Sequence, residues 1–422
     1  LADMASVEEQ INVNLERLTN IHEDIGYLAG YGTLPTGSLG PMAPRSEESL
    51  NRFNALMNRN YALKRIDLDQ KGIPDGLRCL VIARPTEKLS DYALYQIDQA
   101  LMRGTNIAVF ADAFKEARPP GQQPFMAGQQ FSYVPMDTGL EKLLAHYGVR
   151  IKKSVVLDEN AYKQRRPPQH GGGEQAIYFA PIIQSEHINK ELEYVRNIKG
   201  LITVKISPLE LVQDRLDAQG VTAHQLFASS DRSWEMRDRI MLNPQFITPP
   251  TNDTEMASRP LAYLLEGSFS SYFDGKPMPE KPEKPEDTAE GEEITPSPEE
   301  KTDLSDITEK GAFRAKSPPV KIFVMASAEL LKDQLLDDQG NTTNAMFILN
   351  MIDALNDRES IAAMRSKAQQ FNPLNETSTA TKTIVKAINI IGLPILVIAF
   401  GLIAWARRHT PRKFIQPQFE AD

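Results

Sequence analysis

The sequence predicts an α/β fold, a doubly wound and mostly parallel sheet, with a disordered acidic insertion and one C-terminal transmembrane helix. Three observations lead there. Strand and helix patterns alternate between Tyr61 and Ala111, and two of the strands, CLVIA (Cys79–Ala83) and NIAVFA (residues 106–111), are continuous apolar runs. Such runs are expected of strands buried on both faces of a parallel sheet. Residues 274–317 are Pro, Glu, Lys, Thr and Ser with few apolar side chains, too few to offset the entropy of ordering. Between Lys386 and Arg407 lie 20 residues without a charge, 387–406; at ~1.5 Å per helical residue they span a hydrocarbon core of ~30 Å.

The elements follow in order. Residues 3–20 place Val7, Ile11, Leu15 and Leu18 on one helix face. Residues 24–30 (DIGYLAG) alternate as a strand and break into the loop GYGTLPTGSLGP. Ser46, with Glu47 and Glu48, begins a helix whose apolar face is Leu50, Phe53, Leu56 and Met57. Residues 61–66 are a short strand. Ser90 caps a helix bearing Leu94, Ile97 and Leu101, which Gly104 ends. After a loose Pro- and Gln-rich stretch, Thr138 and Glu141 form a capping box for the helix of Leu140, Leu143, Leu144 and Tyr147. Residues 154–158, 176–183, 201–206, 222–229 and 261–265 read as strands and residues 208–216 as a helix. Beyond the acidic stretch, VKIFVMA (320–326) is a strand, and NAMFILNMIDAL (344–355), apolar nearly all round, is a buried helix. The predicted organisation is an α/β domain over 1–158, a second α/β portion over 159–273, the acidic loop over 274–317, and a return segment completing the core over 318–371. A stalk over 372–386, the membrane helix over 387–406 and a basic cytoplasmic tail over 407–422 follow.

The anchor is marked by Ile390 and Pro394 within it and Trp405 at its boundary, where an indole prefers to sit. Arg407 and Arg408 follow it, and the positive-inside rule puts them in the cytoplasm. The main domain is then extracytoplasmic. The chain opens with Leu1 rather than an initiator Met, and a domain exported ahead of a C-terminal anchor implies upstream sequence that directs it.

Composition narrows the function. The net charge of −9 is local: from Asp274 to Lys310 there are 13 Asp and Glu against 5 Lys. The folded parts are nearly neutral, and no basic stripe argues for nucleic acid. Cys79 is the single cysteine, which excludes a disulfide framework, and no His or Cys pair has metal-ligand spacing. Gly30-Tyr31-Gly32 begins like a dinucleotide fingerprint but lacks the third glycine and runs into Pro35, so it reads as a turn. His170-Gly171-Gly172-Gly173 looks like an oxyanion loop, yet the chain has no G-x-S-x-G elbow. Cys79 begins a strand, not a sharp turn beyond one, and so reads as structural. No G-x-x-x-x-G-K-[ST] loop is present, so ATP chemistry belongs elsewhere. Catalytic, cofactor and metal residues are not assigned. The candidate ligand or partner loops are Gly30, Tyr31 and Gly32, and the polar loop of Ser230, Arg232 and Trp234.

Several segments together carry a family resemblance: GYLAGYG (26–32), the run from LRCLVIARP to NIAVFAD (77–112), LEKLLAHYGVRI (140–151), ASSDRSW (228–234), LAYLLEGSFSSYF (261–273), and a terminal apolar helix followed by Arg-Arg. In this order they resemble the ABC-type transport auxiliary component family, which includes the auxiliary membrane component linked to gliding motility. The resemblance implies a non-catalytic extracytoplasmic domain, similar to amidotransferase-like or flavodoxin-like folds, anchored in the bacterial inner membrane. Its implied partners are an ABC permease, an ATP-binding subunit, membrane lipid and other envelope proteins. In relatives a Gly-His-Gly turn often follows the first strand; here Tyr31 stands in the middle. The alternatives are a membrane-tethered hydrolase or amidotransferase-like enzyme, and a scaffold for envelope machinery.

Overall fold

The computed structural model describes residues 23–37, 49–117, 132–167, 169, 172–281, 313–367 and 379–415. The predicted helix at 3–20, Ser46 and most of the acidic stretch lie outside them. The chain divides into two compact units, Leu1–Phe371 and Asn372–Asp422.

The first unit is built on a seven-stranded sheet. Its strands are β1 (Glu23–Ala29), β2 (Tyr61–Asp67), β3 (Cys79–Ala83), β4 (Asn106–Phe110), β13 (Thr222–Ala228), β15 (Pro260–Gly267) and β16 (Val320–Met325), in spatial order β13-β15-β16-β4-β3-β1-β2. Smaller antiparallel sheets join β5 (Phe114–Ala117) with β6 (Ser132–Pro135), and β7 (Val149–Ile151) with β12 (Leu209–Leu211). Two more join β8 (Val155–Asp158) with β14 (Ser233–Met236), and β9 (Ala161–Arg165) with β10 (Glu174–Gln184) and β11 (Gly200–Ile202).

The expected doubly wound, mostly parallel sheet, amidotransferase-like or flavodoxin-like, is therefore overturned. Seven of the eleven described strand pairings are antiparallel and four are parallel, and the central sheet itself is mixed because β15 runs against both β13 and β16. The physical reason is that apolar character reports burial, not direction. Residues Leu261 to Leu265 are buried without a break, as a parallel strand would be, in a strand whose two ladders are antiparallel. The predicted helix over 208–216 is also corrected: Leu209–Leu211 pairs with Val149–Ile151, and helix α4 occupies only Gln213–Gln219.

Strand side chains alternate between two cores, as a period of two requires. On one face Ile25, Tyr27, Cys79, Val81, Phe110 and Phe323 pack on helices α1 (Asn51–Met57) and α5 (Thr343–Leu355). On the other, Leu28, Leu80, Ile82, Val109 and Val324 pack on α2 (Asp91–Arg103) and α3 (Leu140–Tyr147). Ser90 caps α2 by accepting the Ala93 amide at 3.1 Å, and Gly104 ends it at φ 109°. Glu141 reaches back to the Thr138 amide at 3.1 Å, but the cap position itself is Gly139. Helix α5 is buried from Asn344 through Leu355, which explains its lack of a polar face. Helix α6 (Glu359–Lys367) follows it.

A buried ion pair locks these helices together. Arg365 of α6 donates to Asp353 of α5 at 2.6 Å and to Asn350 at 3.0 Å, while the Tyr61 hydroxyl donates to the other Asp353 oxygen. Asp353 is fully buried and Arg365 only 6% exposed.

In the second unit α7 (Thr379–Ala387), a π-helical stretch (Ile388–Gly392) and α8 (Leu393–Ile415) run consecutively. Within Thr383–Arg408 the most apolar 18-residue window has a mean hydropathy of 2.5, and none of that window is buried within the protein.

Removing one member of a buried pair strands the other charge, at a cost of about 3–5 kcal/mol. Asp353→Ala should therefore lose about that much stability in denaturant unfolding, and Asp353→Leu with Arg365→Met should recover most of it. Equal losses in the single and double variants would show that the charge is not what matters.

Candidate functional site

A cleft of about 230 Å³ opens at the carboxyl ends of the parallel strands β1, β3, β4 and β16, lined by residues of the turns that follow them: Gly32, Arg84, Thr86, Asp112 and Glu329. Lys205, Glu116 and Tyr133 complete its wall.

Tight backbone turns shape the cleft. Gly30, Tyr31 and Gly32 have φ of 87°, 51° and 69°, and Arg84 and Lys205 also lie in the left-handed region, at 48° and 50°. Non-glycine residues hold such φ values at a cost on the order of 1–3 kcal/mol, and they gather at functional sites. The Gly30 turn is pinned to the chain after β3, because the Thr86 and Glu87 amides both donate to the Tyr31 carbonyl at 3.0 Å. At Gly32 a Cβ would sit 2.0 Å from Thr86 Oγ1, so only glycine fits that approach.

Carboxylates and cations alternate around the wall. Lys205 pairs with Glu116 and lies 4.0 Å from Glu329, which Lys332 contacts at 2.7 Å. Burial would lower the Lys205 pKa, but Glu329 and Glu116 outweigh it and hold it above its ordinary value. Burial, against the opposing charge of Lys205, pushes Tyr133 up to about 12. Asp112 accepts the Ala328 amide at 2.7 Å. Its carboxyl is pushed up to about 6, first by burial and then by the Glu329 carboxylate, against the charge of Arg84. The group thus exchanges its proton well above the ordinary carboxylate range. The Thr86 hydroxyl donates to the Gly32 carbonyl at 3.2 Å. Among the described residues no three His, Cys, Asp or Glu are grouped to hold a metal. The wall is suited to recognising a polar or charged group.

The sequence-predicted loops part company here. Gly32 lines the cleft, whereas the Tyr31 ring turns to a separate shallow groove and donates to Asp69 at 2.7 Å. Burial first, then that bond, pushes Tyr31 up to about 12. Ser230 donates from its amide at 2.8 Å and from its hydroxyl at 2.5 Å to Asp158. Arg232 makes a bidentate pair with Glu159, both bonds 2.8 Å, and a third bond to Asp253 at 2.8 Å. Trp234 packs on Tyr178, ring centroids 5.3 Å apart, over Leu157 and Ile247. That loop closes a small sheet and lines none of the described pockets. Beside it, Glu235 takes bonds from Lys152, Arg237, Arg259 and Ser154, which outweigh burial and hold its carboxyl well below the ordinary range. Cys79 is fully buried and burial pushes its thiol up to about 12, which leaves it inert as a nucleophile. His170 and Gly171 lie outside the described residues.

Sequence reasoning missed Arg84, Asp112, Lys205 and Glu329. A usable signal existed for two: Arg84 directly follows CLVIA, and Asp112 directly follows NIAVFA.

Residues 22–351 match the family described as ABC-type uncharacterized transport system. An uncharacterized protein of Borreliella burgdorferi is 21% identical over an alignment covering 97% of this chain and 70% of that protein. Among solved structures, the mmIFT52 N-terminal domain aligns at a TM-score of 0.41 and 13% identity, covering 79% of this chain and 97% of that one.

Asp112 makes the cleft pH-sensitive with a definite sign. The unfolded chain releases this proton near 3.8 and the folded protein near 6, so within that window the folded state holds more protons and stability falls as pH rises. Asp112→Asn keeps an acceptor for Ala328 and should remove this component. Its melting temperature should vary less than wild type between about pH 4 and 6.5, with a gain on the order of 2 kcal/mol at neutral pH. Parallel profiles for the two proteins would contradict the assignment.

Proposed function

The chain belongs to the ABC-type uncharacterized transport system family, and from that premise we propose that it is a non-catalytic, membrane-anchored auxiliary subunit of an ABC transport system. Its folded domain binds a partner protein or the transported substrate outside the cytoplasm, with the cleft at the strand ends as the contact point.

The observation that carries this is the helix Thr383–Arg408, apolar and with none of its apolar window buried in the protein, in a chain of this family. At ~1.5 Å per residue its 26 residues exceed the thickness of a hydrocarbon core. Pro394 lies inside the helix, which bilayer-spanning helices tolerate. Arg407 and Arg408 at its end favour a cytoplasmic tail and an inner-membrane location. A non-catalytic role is supported by the transport family and by the inert Cys79.

Purification of the full chain in mild detergent, through a tag after Asp422, should recover a permease and an ATP-binding subunit in stoichiometric amounts. Arg84→Glu in the cleft should reduce that recovery if the cleft is the contact. Recovery of the chain without either subunit would end the proposal.

A further inference from the structure

A second groove lies beside α3, and its charge is one-sided. It is an open depression of about 510 Å³. Lys142 enters it from α3, Arg150 from β7, Arg215 from α4 and Lys276 from the chain beyond β15; Asp274 is the one carboxylate that lines it. Arg150 has an exposed partner, Glu210, at 3.8 Å. Lys276 rests on the Tyr272 ring, 3.1 Å from its centroid. Lys142 and Arg215 make no ion pair among the described residues. The field is felt at His146, which lines the same groove. Burial, only partly offset by its bond to the Ser270 carbonyl, lowers its pKa, and the charges of Arg215 and Lys276 lower it further.

The chain supplies the complementary charge at the same place. Residues 282–312 hold eleven Asp and Glu against three Lys, nearly the whole net charge of −9. They begin six residues after Lys276. They end where the returning chain is fastened to the groove's own rim: the Ser271 amide donates to the Ala315 carbonyl at 2.8 Å, and Ser270 bridges to Lys316. The described residues that flank the run, Lys276 on one side and Ala315 and Lys316 on the other, therefore lie at the groove. Single exposed ion pairs are weak, but several carboxylates tethered at their binding site act at an effective concentration on the order of millimolar.

We infer that this groove binds the acidic run of its own chain, Glu283 to Glu300. The occupant satisfies Lys142, Arg215 and Lys276 with carboxylates.

The test is zero-length carbodiimide coupling of the full chain in detergent, with the new amide bonds located by mass spectrometry. Lys142, distant in sequence from the acidic run, should couple to Glu283, Glu286, Asp287, Glu290, Glu292 or Glu293. The yield should fall roughly fivefold or more between about 0.05 and 0.5 M salt. Arg215→Glu, a change at an exposed position, should lower it roughly tenfold, whereas Arg215→Lys should keep it. Any of three results would overturn the inference: Lys142 coupling elsewhere while the acidic run stays unlinked to it; a yield indifferent to Arg215→Glu; or links found only between differently isotope-labelled copies, which would give the groove to a second molecule.

Discussion

The central sheet is continuous only through β16. On one side Val320–Met325 runs parallel to β4, and on the other it runs antiparallel to β15. Without it the β2-β1-β3-β4 half and the β13-β15 half have no hydrogen bonds in common. The strand is apolar on both faces because Phe323 and Met325 serve one core and Ile322 and Val324 the other. It also arrives late, more than 200 residues after its partner β4. Closing so long a loop costs entropy before any contact offsets it, so the sheet is completed only when the last third of the domain is in place.

Buried polar side chains fix that late arrival in register. Asn106 donates to the Leu355 carbonyl at 2.6 Å and accepts the Lys321 amide at 2.7 Å, which ties β4 to β16 and to the end of α5. On the far face Asp98 is fully buried and accepts from Tyr147 at 2.7 Å, from Ser271 at 2.6 Å and from the Tyr272 amide at 2.7 Å. A buried carboxylate is tolerable only when its lone pairs are so occupied. The Asn106 contact discriminates between registers of β16, because a one-residue slip would leave its side-chain oxygen without the Lys321 amide.

Periodicity and punctuation were legible in the sequence. CLVIA and NIAVF are strands, Ser90 and Gly104 bound their helix, and the all-round apolar segment before Leu355 is a buried helix. Direction was not legible, since an antiparallel strand covered on both faces has the same composition as a parallel one. Leu209–Leu211 shows the other limit: three residues after a proline satisfy a helical pattern as easily as a β-bridge to Val149–Ile151. At the site, the Gly30 to Gly32 turn was visible as a glycine signature, and Gly32 does line the cleft. Arg84, Asp112, Lys205 and Glu329 were not visible as a group, because they are brought together from four places by the sheet. Arg232 and Trp234 lie apart from that cleft. Their polar and aromatic character is spent on Glu159, Asp253 and Tyr178 within one small sheet.

The fastening at the ends of the acidic run has a consequence for how this sequence can vary. The Ser317 amide donates to the Phe269 carbonyl at 2.9 Å, the Phe269 amide donates to Ser317 Oγ at 2.8 Å, and Ser271 pairs with Ala315. The fold therefore closes its own strand-to-strand connection at the base, before the intervening residues begin. Because loop-closure entropy grows only as the logarithm of length, doubling the insert costs about 0.6 kcal/mol. Evolution can lengthen, shorten or recharge this stretch, and a reporter domain can be spliced into it, with the strands on either side still in place.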